Sequence, residues 1–118
     1  MIKYTYEYQK GEGNYLLREL YTIISQSFEH VTLKLSDKSH PLFKAHFPQY
    51  SILPGFALID IVAEVLHEEV VYIKYSKFIA NIFPDDILEC TIDKNEKKRT
   101  IKVYRNNKKV SEIVYEAK

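Results

Sequence analysis

The sequence has no tryptophan, one cysteine, one methionine, three glycines and four prolines in 118 residues. So little Gly and Pro excludes collagen-like and low-complexity chains, where those residues dominate. A lone cysteine excludes an internal disulfide framework. The neighbours of Cys90, Glu89 and Thr91, also lack the positive charge that activates a thiolate, so it reads as a small apolar strand residue. Charge of one sign is missing as well. Lys plus Arg is 17 against 16 for Asp plus Glu, a net charge of +1, which gives no global field for nucleic acid or an anionic membrane. No long hydrophobic run exists, because Asp60 and Glu64 interrupt the most apolar region, and Met1 to Glu7 lacks the apolar stretch of a signal peptide. A cytoplasmic protein with no membrane span and no nucleic-acid partner is expected.

What the sequence does have is aromatic and aliphatic mass: 46% hydrophobic residues, with ten Tyr and six Phe. Flat and β-branched side chains pack well on a pleated surface, so an extensive sheet is expected. One domain over residues 1–118 is the natural size. A chain this short buries roughly two-thirds of the surface its unfolded form exposes, leaving little room for a deep private pocket. A small-molecule site is then easiest to build at an oligomer interface.

Ile2, Tyr4, Tyr6 and Tyr8 alternate with polar residues, which predicts an N-terminal strand over residues 1–9. Two glycines break the pattern, and Tyr15 to Ser25 shows helix-like spacing with Asn14 as a cap. Phe28 to Ser36 alternates again, and Leu42 to Leu53 is irregular. Pro54-Gly55 opens a helix predicted over 54–68, apolar on most sides and so in need of burial nearly all round. Strand-like runs follow at Val70 to Ile82, Ile87 to Asp93, Arg99 to Arg105 and Lys109 to Glu116, with Asn106-Asn107 suited to a tight hairpin. The expected fold is α+β: one long central helix wrapped by an antiparallel sheet of five to six strands.

The irregular stretch and the helix hold the chemistry. His46 precedes a Phe-Pro pair, and Asp60 lies fourteen residues later among Leu58, Ile59, Ile61 and Val62, where a carboxylate is costly to bury unless paired or protonated. Gly55 permits close approach of a ligand to a helix N-terminus, whose unpaired N–H groups favour a carbonyl oxygen gaining negative charge. Together these are the parts for proton abstraction beside a carbonyl. The residues alone equally admit a structural histidine, a solvent-facing stripe of Asp60, Glu64 and Glu68, and an ordinary helix start at 54 and 55.

The run from His40 to Asp60 resembles the hot-dog-fold (R)-3-hydroxyacyl thioester dehydratases of fatty-acid synthesis. Ala45-His46-Phe47-Pro48, Pro54-Gly55 and Asp60 match that family's fingerprint in type and spacing, and Lys77-Phe78 with Phe83-Pro84-Asp85-Asp86 resembles a later family segment. The likeness spans roughly residues 16 to 92, and the short chain is similar to the compact aryl-polyene-type members. It implies a hairpin of strands over 16–25 and 28–36 in place of the helix-like reading. Ala45 and Ser51 depart from the pattern, as does Glu64, which stands where many relatives have Gln.

The resemblance implies that His46 removes the C2 proton of a 3-hydroxyacyl thioester, that Asp60 assists departure of the 3-hydroxyl, and that Gly55 N–H binds the thioester oxygen. Ile52 and Glu64 are expected to support them. It implies no metal or cofactor, a homodimer or dimer-based oligomer that shares its sites, and an acyl carrier protein as substrate carrier. A hot-dog thioesterase and a non-catalytic subunit paired with a hot-dog paralogue are the competing readings. Residues 94 to 109 carry eight positive side chains against Glu96 alone, a local charge of +7, suited either to an acidic carrier protein or to keeping a sheet edge soluble.

Overall fold

The computed structural model describes residues 17–45 and 51–118, so the strand expected over 1–9, the cap at Asn14 and the expected base His46 lie outside the described residues. Residues 17–20 form a tight turn closed by Leu20 N–H on the Leu17 carbonyl. Six strands follow in one antiparallel sheet: β1 Tyr21–Gln26, β2 His30–Leu35, β3 Val70–Phe78, β4 Ile87–Asn95, β5 Lys98–Arg105 and β6 Lys108–Ala117. Their order is β1-β2-β4-β5-β6-β3, which leaves β1 and β3 at the two edges. Two helices sit between β2 and β3: α1 Pro41–Ala45 and α2 Gly55–Leu66.

Period-two patterning builds the sheet. In β4, Leu88, Cys90 and Ile92 point inward and are buried, while Ile87, Glu89, Thr91 and Asp93 point outward. Ile101 and Val103 of β5 and Ile113 and Tyr115 of β6 continue the inner face. Against that face α2 buries Ala57, Leu58, Ile59, Ile61, Val62, Ala63 and Val65. Burial of such side chains is worth about 1.5–3 kcal/mol each for the larger ones, which is why the core gathers on this helix.

The helix expected over 54–68 is shorter, because its ends are fixed locally. Pro54 is the extended cap residue before it. His67 adopts the left-handed conformation with φ 53°, its N–H bonding to the Glu64 carbonyl, while Glu68 N–H reaches Ala63. Helix-like spacing at Tyr15 to Ser25 does not yield a helix where the chain is described; β1 begins at Tyr21 and pairs with β2 across a bulge at Ile23 to Ser25. The irregular reading of Leu42 to Leu53 is corrected at its start, where α1 forms. The run read as a strand to Ile82 ends at Phe78, because Ile79 and Ala80 both turn their N–H groups to the Val110 carbonyl. Asn106 and Asn107 have φ 52° and 64°, as a primed hairpin turn requires.

Cys90 lies in the core between helix and sheet, and burial pushes its thiol from 9.0 up to about 12. The folded protein therefore keeps a proton that the unfolded chain releases, so this contribution to stability is complete below about pH 9 and falls as pH rises toward 12. We expect a chromogenic disulfide reagent to label Cys90 only after unfolding. Cys90→Val is expected to flatten the alkaline loss of stability; labelling of the native protein at the denatured rate would contradict the placement.

Candidate functional site

The start of α2 borders an open groove of about 290 Å³, lined by Ile52, Leu53, Pro54, Gly55, Phe78 and Ile82 among others. Proline at the cap position supplies no side-chain acceptor to the helix. Ala57 and Leu58 N–H bond back to the Pro54 carbonyl, and no described residue accepts from Gly55 N–H. The groove thus meets, at the positive end of a twelve-residue helix, an N–H that bonds to no described residue.

Gly55 is in close contact with the opposite wall of the groove. A Cβ at this position would lie 2.7 Å from two ring atoms of Phe78, so the aromatic ring rests directly on the glycine. Ile52, the expected supporting residue, lines the same groove and is half-buried.

Asp60 is half-buried on α2, and the described residues place it one turn before Glu64. Glu64 is engaged: Tyr21 Oη donates to its Oε1 at 2.5 Å. Glu68 lies beyond the helix end and accepts from Tyr115 Oη at 2.7 Å and from Arg99 Nε at 2.6 Å. Burial first, then the Glu68 carboxylate, pushes the Tyr115 phenol far above its usual range, so it remains a donor. The solvent-facing acidic stripe is therefore not what forms; Glu64 and Glu68 are both half-buried and partnered.

His40 takes the structural role open to a lone histidine. It is buried, its Nδ1 accepts from Leu42 N–H at 3.0 Å, and its Nε2 lies 2.8 Å from the Arg18 carbonyl, which assigns the ring proton to Nε2. Among the described residues no three His, Cys, Asp or Glu side chains gather as a metal site. None of the described helices is long and apolar enough to cross a membrane.

The basic hairpin is less charged than its sequence count. Arg99 pairs with Glu68, Arg105 with Asp86 and Lys109 with Glu112, while Lys94 sits over the Phe28 ring. Lys97, Lys98, Lys102 and Lys108 remain exposed. Glu68 and Asp86 come from distant segments, as does Tyr21, so no local pattern could reveal those pairs, whereas Glu112 lies three residues from Lys109.

A family profile described as ApeI-like, ApeI dehydratase, matches residues 24–114. The chain belongs to the ApeI-like dehydratase family. No curated protein matches it. Among solved structures, this family member is similar to the dehydratase heterocomplex ApeI:P from Xenorhabdus doucetiae, with 20% identity, 81% of this chain and 96% of the other covered, and a TM-score of 0.66. An uncharacterized protein from Erwinia carotovora subsp. atroseptica aligns at 18% identity over 83% of this chain and 91% of its own, with a TM-score of 0.56. Thioesterase superfamily member 2 from Mus musculus aligns at 12% identity over 86% and 84%, with a TM-score of 0.59. At such identities the likeness carries the fold, which is the α+β hot-dog fold.

If the Phe78 ring defines the groove at Gly55, the two positions are energetically coupled. We expect Gly55→Ala to be milder by about 1 kcal/mol in a Phe78→Ala background than in the wild type, measured by denaturant unfolding. Strict additivity would contradict the contact.

Proposed function

We propose that this ApeI-like dehydratase removes water from a 3-hydroxyacyl thioester carried on an acyl carrier protein, giving a trans-2-enoyl thioester for fatty-acid or polyene-type synthesis. His46 takes the C2 proton, the electron pair left behind forms the C2–C3 double bond, and the 3-hydroxyl leaves as water with a proton from Asp60. Gly55 N–H binds the thioester oxygen while enolate charge develops there. No metal or cofactor is required for this step.

The observation that carries the reading is the start of α2, where Gly55 N–H, which bonds to no described residue, opens on an apolar groove and a half-buried carboxylate follows on the same helix. An apolar acyl chain suits the groove's aliphatic and aromatic lining, and the donor suits a carbonyl oxygen. In this reading His46 of one chain meets Asp60 of a second copy. The edge strand β3 supports that pairing, because it exposes Val71, Tyr75 and Phe78 along an edge that no other described strand pairs. The exposed lysines at positions 97, 98, 102 and 108 supply what positive charge is left to meet an acidic carrier protein.

A second reading follows from the Xenorhabdus doucetiae structure, which is of a heterocomplex: this chain acts as one subunit beside a second hot-dog protein. Incubation with a 3-hydroxyacyl carrier protein, followed by mass spectrometry, tests both. The expected result is loss of one water from the acyl group by the protein alone, with His46→Ala and Asp60→Ala each slowing the rate by about 10²–10⁴-fold. Full activity in both variants would refute the mechanism. Activity only after adding a hot-dog paralogue would favour the heterocomplex, and release of free thiol would favour a thioesterase.

A further inference from the structure

The wall of the groove opposite α2 is built from irregular backbone, residues 79–86 between β3 and β4, and a residue at the end of β5 holds it in place. Arg105 ends β5, next to the Asn106-Asn107 turn. Its Nη1 donates to the Asn81 carbonyl at 2.7 Å and to Asp86 Oδ2 at 2.7 Å, and its guanidinium carbon lies 5.7 Å from the centroid of the Phe83 ring. Asp86 Oδ2 also accepts from Phe83 N–H at 2.8 Å. One side chain therefore fixes the loop at three places.

The loop in turn touches the site. Ala80, Asn81 and Ile82 line the groove, and the Ile82 carbonyl accepts from Leu53 N–H at 2.7 Å, immediately before Pro54-Gly55. A continuous path of hydrogen bonds and peptide links runs from Arg105 through Asn81 and Ile82 to the residues that open α2. We propose that Arg105 is a positioning residue: it sets the distance between the groove wall and Gly55, and so the placement of the bound thioester. This rests on the dehydratase reading above. Arginine suits the role because its planar fork binds a carbonyl, a carboxylate and an aromatic face at once, where lysine offers a point charge.

The pair with Asp86 is partly solvated, and such pairs add little to global stability, so the effect falls on geometry near the site. Misplacement by about 1 Å costs on the order of 10²-fold in rate. Arg105→Ala is therefore expected to lower kcat/KM by about 10- to 100-fold while the melting temperature stays within a few degrees of wild type. Hydrogen exchange at the Leu53 amide is expected to rise by about tenfold, because its acceptor is no longer held. Arg105→Lys should recover part of both, and Glu112→Gln, which breaks a hairpin ion pair that does not touch the loop, should change neither.

Wild-type kcat/KM in Arg105→Ala would overturn the proposal. So would a loss of activity that tracks a loss of melting temperature and is not restored by lysine. Absence of dehydration by the wild type would overturn the dehydratase reading instead, whereas unchanged Leu53 exchange in Arg105→Ala overturns the clamp whatever the activity.

Discussion

A helix as apolar as Gly55–Leu66 is stable only if it is buried on nearly every side, and a six-stranded sheet wrapped around it is the means by which 118 residues achieve that. The consequences reach the site directly. With the sheet occupied by the helix, the space between them beside Val62, Cys90 and Ile101 is about 10 Å³, and the groove at the helix start opens at the surface. Pro54 caps the helix with no side-chain acceptor, and the Gly55 N–H at the groove bonds to no described residue. Packing that stabilises the fold thus also creates the polar feature on which the proposed chemistry depends.

The half-buried charges obey the same constraint. Glu64 and Glu68 are held by Tyr21, Tyr115 and Arg99, which lie in the sheet strands around the helix. Each bond ties the α2 region to a strand distant in sequence, so the carboxylates that might have formed a wet surface instead fix the helix against β1, β5 and β6. The same logic reduces the basic hairpin: Arg99, Arg105 and Lys109 spend their charge on intramolecular partners. Arg105 is the one whose partners reach the groove.

Much of this was legible in the sequence because it is written in local periodicity. The alternation Leu88, Cys90, Ile92 placed β4, the Asn106-Asn107 pair placed its hairpin, and the apolar run after Pro54-Gly55 placed α2. The readings that failed depended on distant partners. The hairpin implied over 16–25 and 28–36 forms as β1 and β2 against the local helix-like spacing, and the strand read to Ile82 ended at Phe78 because Val110 draws the next two amides aside. The contact of Phe78 with Gly55 and the hold of Arg105 on Asn81 join residues more than twenty positions apart, which no spacing rule encodes. Of the site itself, the residues marked Gly55 and Asp60, the family resemblance added Glu64, Ile52 and the Lys77-Phe78 segment, and Tyr21 and Arg105 were missed.

The proposed reaction needs a site divided between two chains, with Asp60 from one and His46 from the other. Mixing the inactive variants His46→Ala and Asp60→Ala after reversible dissociation tests this most directly. Random reassortment makes about half of the dimers mixed, each with one intact site, so recovery of about a quarter of wild-type dehydration is predicted. A mixture as inactive as its two components, from chains shown to have exchanged, would contradict a shared site.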